Sequence, residues 1–204
     1  MPKKIKNCFY RNLTFEKMYQ AHLRAKKHKT YKDEVLNFEL NLENNLINLI
    51  NNIKQNRYHL GNYYEFKVYE PKERTIKALP YIDRIVHQWY IENFIKPYIL
   101  PKLINDTFAC ITDRGTHKAV LKIEHFMRIY KRNNPNFWIL KCDIRKFFYT
   151  INPNILYEIM KKYIVDKALL NFTRLLIFDK NTPNCIRNSY WKLYLSVFCK
   201  YLSK

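Results

Sequence analysis

The chain has 204 residues, enough for one or two domains with a real hydrophobic core. Its 37 Lys and Arg against 17 Asp and Glu leave a formal net charge of +20, which points first to nucleic acid and second to an anionic membrane; the wealth of Lys, Asn, Ile, Tyr and Phe also resembles the imprint of an A/T-rich genome, which discounts the charge. At 48% hydrophobic and 16% aromatic residues it is no disordered basic tail, and its two glycines, Gly61 and Gly115, where average usage of about 7% would give roughly fourteen, exclude a P-loop and a dinucleotide-binding fingerprint.

After a basic, polar start, Leu42, Leu46, Leu49 and Ile53 recur at three- and four-residue steps and predict an amphipathic helix within Asp33–Leu60. Tyr64, Phe66 and Val68 then alternate with Glu65 and Lys67, a period of two that predicts a strand. The run Glu70-Pro71-Lys72-Glu73 breaks it and Thr75–Leu79 returns, so a hairpin holds Lys72 and Arg74 near its tip. Ile82, Ile85, Val86 and Trp89 predict a helix closed by Pro97 and Pro101. Gly115 and Thr116 introduce another, with Ala119, Val120, Ile123, Phe126, Met127 and Tyr130 on its buried face. Phe137–Ile144 reads as a dense apolar strand carrying Asp143 near its C-terminal end. Asn152 and Pro153 are an N-cap and first-turn pair opening a helix through Ile155, Leu156, Ile159 and Tyr163, and a last helix covers Ala168–Phe178. With no repeat, low-complexity tract or linker, one continuous α+β body is predicted.

Cys8, Cys110, Cys142, Cys185 and Cys199 form no CxxC pair, and with six unclustered histidines they offer no zinc spacing, so a reduced, cytoplasmic protein is expected. The start MPKKIKNCFYRN has charge but no apolar h-region, and no run reaches membrane-spanning length; a membrane partner is not expected.

Asp143 is the residue with chemical interest. A carboxylate near the end of so apolar a strand needs a cation or a set of donors, and alternation puts it on the face of Lys141 and Ile139. Either Lys141 pairs with it, or a Mg²⁺ ion does, completed by water, substrate phosphate and a second acid; an ordinary Asp capping a turn is the plainer alternative.

Three segments in order, FKVYEPKERTIKALPYIDRIVHQ, INDTFACITDRGTHKA and WILKCDIRKFFYTI, resemble the fingers and first palm motif of bacterial reverse transcriptases, closest to those of group II introns and diversity-generating retroelements. The resemblance runs from about Leu13 to Phe178. It implies that Asp143 is the first catalytic aspartate, binding two Mg²⁺ ions, with the Ile144 carbonyl as a further ligand to the nucleotide-bearing ion. Phe148 matches the steric gate against a ribose 2′ hydroxyl, or is a core aromatic. Lys72 and Arg74 match the residues that grip an incoming deoxynucleoside triphosphate, or are solvated hairpin charges. Arg84 and Arg114 match basic positions near the RNA template and primer, although an ion pair with Asp83 or Glu92 would explain Arg84 equally. Asp113 stands where relatives often carry Gly or Lys.

The family needs two further carboxylates, normally adjacent downstream. No acidic pair follows Asp143, whose only successors are Glu158, Asp166 and Asp179, read as helical or loop surface. Shifted by one nucleotide, the Trp191 codon with the next base gives glycine, and with permitted synonymous codons the stretch from Asn188 spells IPIGNYISQYFANIYL, which resembles the family's next block. A frameshift between Ile177 and Asn188 is therefore expected.

The resemblance thus implies an α+β, helix-rich fold with right-hand polymerase fingers and an incomplete palm sheet. The expected divisions are a helical extension over 1–60, fingers over 61–135, the first part of a palm over 136–180, and an out-of-frame tail over 181–204. The expected function is that of a reverse-transcriptase fragment inactive by itself; the alternative is a non-catalytic RNA-binding module that keeps the basic fingers surface.

Overall fold

The computed structural model describes residues 4–70, 73–108, 111, 113–134, 136–143 and 152–178. The fold is mixed α+β, rich in helix, with a two-stranded sheet. It divides into two compact units rather than the single body predicted: the described residues up to Tyr98 together with 152–178, and those from Ile99 to Asp143. Among the described residues no helix is long and apolar enough to cross a membrane.

In the first unit the basic start is itself helical. After the short α1 (Phe9–Asn12), Thr14 caps α2 (Phe15–Lys26) by accepting the Lys17 N–H at 3.4 Å. Met18, Ala21, His22 and Ala25 form its buried stripe. The helix predicted within Asp33–Leu60 is two, α3 (Asp33–Leu40) and α4 (Leu42–Lys54), broken at Asn41, whose φ of −128° and ψ of 44° leave the helical region. The Asn45 side chain donates to the Phe38 carbonyl at 2.9 Å and so satisfies a group the break exposes. Leu46, Leu49, Ile50 and Ile53 are buried as their spacing requires.

The hairpin pairs β1 (Tyr64–Val68) with β2 (Arg74–Ala78), antiparallel, Tyr64 opposite Ala78 and Val68 opposite Arg74. It leads into α5 (Tyr81–Tyr90), which does not stop before Pro97 but runs through a π-helical turn, Ile91–Ile95, into α6 (Lys96–Ile99). A proline within a helix lacks a donor and crowds the preceding turn; the wider π turn directly ahead of Pro97 gives that ring room. Trp89 and Phe94 pack edge to face at 5.2 Å, and Phe9 and Phe172 close around them at 5.4–5.8 Å, making the centre of the core.

Phe172 belongs to α9 (Lys167–Ile177), which follows α8 (Pro153–Tyr163). Asn152 caps α8 through the Asn154 N–H at 2.9 Å, as its sequence predicts. The N-terminal segment joins these helices through a parallel bridge, Ile5 opposite Ile164.

The second unit departs furthest from expectation. The helix predicted after Gly115 forms as α7 (Thr116–Asn133), yet none of its residues is buried. Phe137–Asp143, the described part of the predicted strand, pairs with no neighbour among the described residues; Trp138 is 99% exposed. A strand exists by its ladder and an apolar face by the layer over it, and among the described residues of this unit neither is supplied.

Candidate nucleic-acid interface

The hairpin that was to carry the basic tip is fixed from below by α5. Asp83, buried, accepts the Tyr58 hydroxyl at 2.6 Å and the Gly61 N–H at 2.8 Å, which anchors the chain entering β1. Gly61 is required there: an added Cβ would come within 2.8 Å of the Pro80 ring and 3.2 Å of the Asp83 carboxylate.

Alternation then sorts the hairpin into two faces. One carries two ion pairs, Lys77 with Glu65 and Lys67 with Glu73, each at 2.8 Å and exposed. The other carries Tyr64, Phe66, Val68 and Ile76, with the Tyr64 and Phe66 rings 5.9 Å apart and Tyr64 71% exposed. Sequence alternation located these strands but assigned their aromatics no role. Exposed rings of this kind offer base stacking.

Arg74 ends the ladder opposite Val68; its side chain lies outside the described residues, as do Lys72, Ile144 and Phe148 entirely.

Arg84 has a different duty from the one its motif implied. It is only 7% exposed, and its guanidinium is held inside the protein, Nε donating to the Leu79 carbonyl at 2.9 Å and a terminal nitrogen to both Glu34 carboxylate oxygens at 2.6 and 2.7 Å. Its partner is neither Asp83, which Tyr58 and Gly61 occupy, nor Glu92, which pairs with Lys96. The signal for Glu34 was out of reach of helical spacing, since the partner lies 50 residues away.

In the second unit, Arg114 donates to the carbonyls of Asn105 at 2.9 Å and Thr107 at 3.2 Å and so shapes its own loop. The preceding Asp113 has φ 61°, a left-handed conformation that glycine takes freely and Asp tolerates. Asp113 is thus compatible with the turn. Asp143 is exposed, and among the described residues no three His, Cys, Asp or Glu side chains gather.

Of the later acids read as surface, Glu158 is on the surface and Asp166 is not. Asp166 is buried; one oxygen accepts the Cys8 and Phe9 N–H groups at 2.8 and 2.9 Å and the other caps α9 at Leu169, 3.2 Å away. Glu158 pairs with Lys161 at 2.8 Å on the exposed side of α8. Asp179 lies outside the described residues.

A buried polar chain also joins α2, α3 and α5. His22 donates from Nε2 to Glu39 at 3.1 Å, which leaves Nδ1 to accept the Tyr81 hydroxyl at 2.9 Å. Burial pushes the His22 imidazole down, against the opposing pull of Glu39, and pushes the Tyr81 phenol up. Glu39 is held below the usual carboxylate range by its hydrogen bond from Lys26. With Tyr81 and His22 both buried, this chain is scaffold, with no access for a substrate.

Compared with protein-family models and with curated proteins, the chain matches none.

Proposed function

We propose that the chain is a reverse-transcriptase-like protein comprising the fingers and the first part of a palm, which binds an RNA template and primer through phosphate and stacking contacts. The observation that carries this reading is the hairpin Tyr64–Ala78: a solvent-facing aromatic pair on one face, with Lys72 and Arg74 in the sequence at its turn, lying within the first segment that resembles the family. The net charge of +20 supports the same partner, because a polyanion rewards it through counterion release. Polymerisation by this chain is not part of the proposal. Stabilising both the attacking and the leaving oxygen takes more carboxylates than Asp143, and of the later acids Glu158 and Asp166 are committed to Lys161 and to backbone caps.

The non-catalytic RNA-binding reading makes the same demand on this surface and differs in its genetic setting: a polymerase ancestry leaves the palm carboxylates recoverable in the shifted frame downstream, and a dedicated binding module does not. The chain itself is tested by offering it an RNA–DNA hybrid and vesicles of phosphatidylserine at moderate salt. Preference for the hybrid is the expected result; preference for the vesicles overturns the reading.

A further inference from the structure

The last turn of α2 and the connection to α3 together carry five cations and no acid in nine residues: Arg24 and Lys26 on the helix, Lys27, Lys29 and Lys32 in the connection. The connection has a fixed shape. The Lys29 N–H donates to the Lys26 carbonyl at 2.8 Å and the Lys32 N–H to the Lys29 carbonyl at 3.1 Å, while His28 between them takes the left-handed φ of 61° that closes the turn. Lys26 is tied at 2.7 Å to Glu39 in the last turn of α3, which also receives the His22 hydrogen bond, so the two helices that the connection joins are held to each other.

Arg24, Lys27, His28 and Lys32 are exposed, and Tyr31, between Lys27 and Lys32 in the chain, is 75% exposed. Cations in the last turn of α2 favour its dipole, which accounts for Arg24 and Lys26. That argument fails for Lys32, the N-cap residue of α3, where positive charge is disfavoured. It also fails for a tyrosine ring standing in water among lysines. An exposed ring on a fixed turn between cations suits a single strand, the base stacking on the ring and the phosphates on either side meeting ammonium groups. Between Lys27 and Lys32 there is no long aliphatic side chain to enter a bilayer.

We infer that Lys27–Lys32 is a contact for single-stranded RNA in which Tyr31 stacks on one base and Lys27 and Lys32 hold the flanking phosphates. The contact rests on the reading of the chain as RNA-binding and adds a second place, apart from the hairpin, at which a strand is held.

The test compares the parent chain with Tyr31→Ala, Tyr31→Phe and the double change Lys27→Gln/Lys32→Gln, titrated with a short single-stranded RNA of mixed sequence over a range of salt. Tyr31→Ala loses roughly tenfold in affinity, the worth of one base–aromatic stack, while Tyr31→Phe keeps it. The lysine pair makes the slope of log affinity against log salt shallower by about 1.4, at about 0.7 for each phosphate contact on a single strand. Equal affinity and slope in all four proteins overturns this contact and leaves the functional reading standing. A parent chain that does not bind RNA overturns both. Unchanged RNA binding with weakened attachment of the variants to phosphatidylserine vesicles overturns the contact in favour of a membrane surface.

Discussion

Glu34 in the first turn of α3 accepts two hydrogen bonds from one terminal nitrogen of Arg84 on α5, at 2.6 and 2.7 Å, and so joins helices far apart in sequence. The pair is lopsided, since Arg84 is 7% exposed and Glu34 belongs to the surface. Removing the acid leaves a buried cation short of an acceptor. Glu34→Ala is expected to cost about 1.5–3 kcal/mol in urea unfolding, and Arg84→Lys to lose stability as well, because an ammonium cannot reproduce the fork that also reaches the Leu79 carbonyl. RNA affinity, measured well below the melting temperature, is expected to stay unchanged in Glu34→Ala; a selective loss of RNA binding would return Arg84 to the template path.

Asp166 fastens the N-terminal segment to α9. Asp166→Ala removes a cap worth about 1 kcal/mol and strands the Cys8 and Phe9 N–H groups, for a total of about 3 kcal/mol. Asp166→Asn keeps an acceptor oxygen and is expected to lose less. Unfolding midpoints that are equal in the two variants would contradict the clamp.

Acid is expected to destabilise the fold from near neutrality downward. Burial pushes His87 down to about 3, so above its ordinary value near 6.5 the ring is neutral in both folded and unfolded chains and contributes no pH dependence. Between about 6.5 and 3 the unfolded chain takes up a proton that the folded chain refuses, and stability falls by up to ~1.4 kcal/mol per pH unit. His22, lowered by burial, acts in the same direction. Glu39, lowered by Lys26, contributes stability that is present above the ordinary carboxylate value and lost as pH falls through its own. Urea midpoints recorded from about pH 8 to 4 check this; a flat profile below pH 6 would contradict it.

On the hairpin, Tyr64→Ala is expected to weaken RNA binding by ~1–3 kcal/mol with little effect on folding, because its ring faces solvent. Asp143→Asn, at an exposed position, is expected to change stability by less than about 0.5 kcal/mol and to leave RNA affinity intact. Affinity that is insensitive to Tyr64 would take the aromatic face out of the interface.

Local patterns told the local truth. The alternation from Tyr64 to Val68 gave β1 residue for residue, and Asn152-Pro153 gave the start of α8. What depended on a covering layer was not legible: α7 has the spacing of a buried helix and exposes it, because periodicity marks a face and is silent about what lies over it. Partners across long separations were hidden for a similar reason, as with Glu34 for Arg84 and the N-terminal backbone for Asp166. The connection around Tyr31 was passed over as a basic start, although Thr14 with Met18, Ala21, His22 and Ala25 already signalled the helix that holds it.

The most direct measurement is the affinity of the whole chain for RNA as a function of salt. Phosphate contacts from both the hairpin and the Lys27–Lys32 turn predict a linear fall of log affinity with log salt, with a slope of about −3 or steeper at about 0.7 per phosphate. An affinity that stays flat between low and moderate salt would contradict an interface built on phosphates.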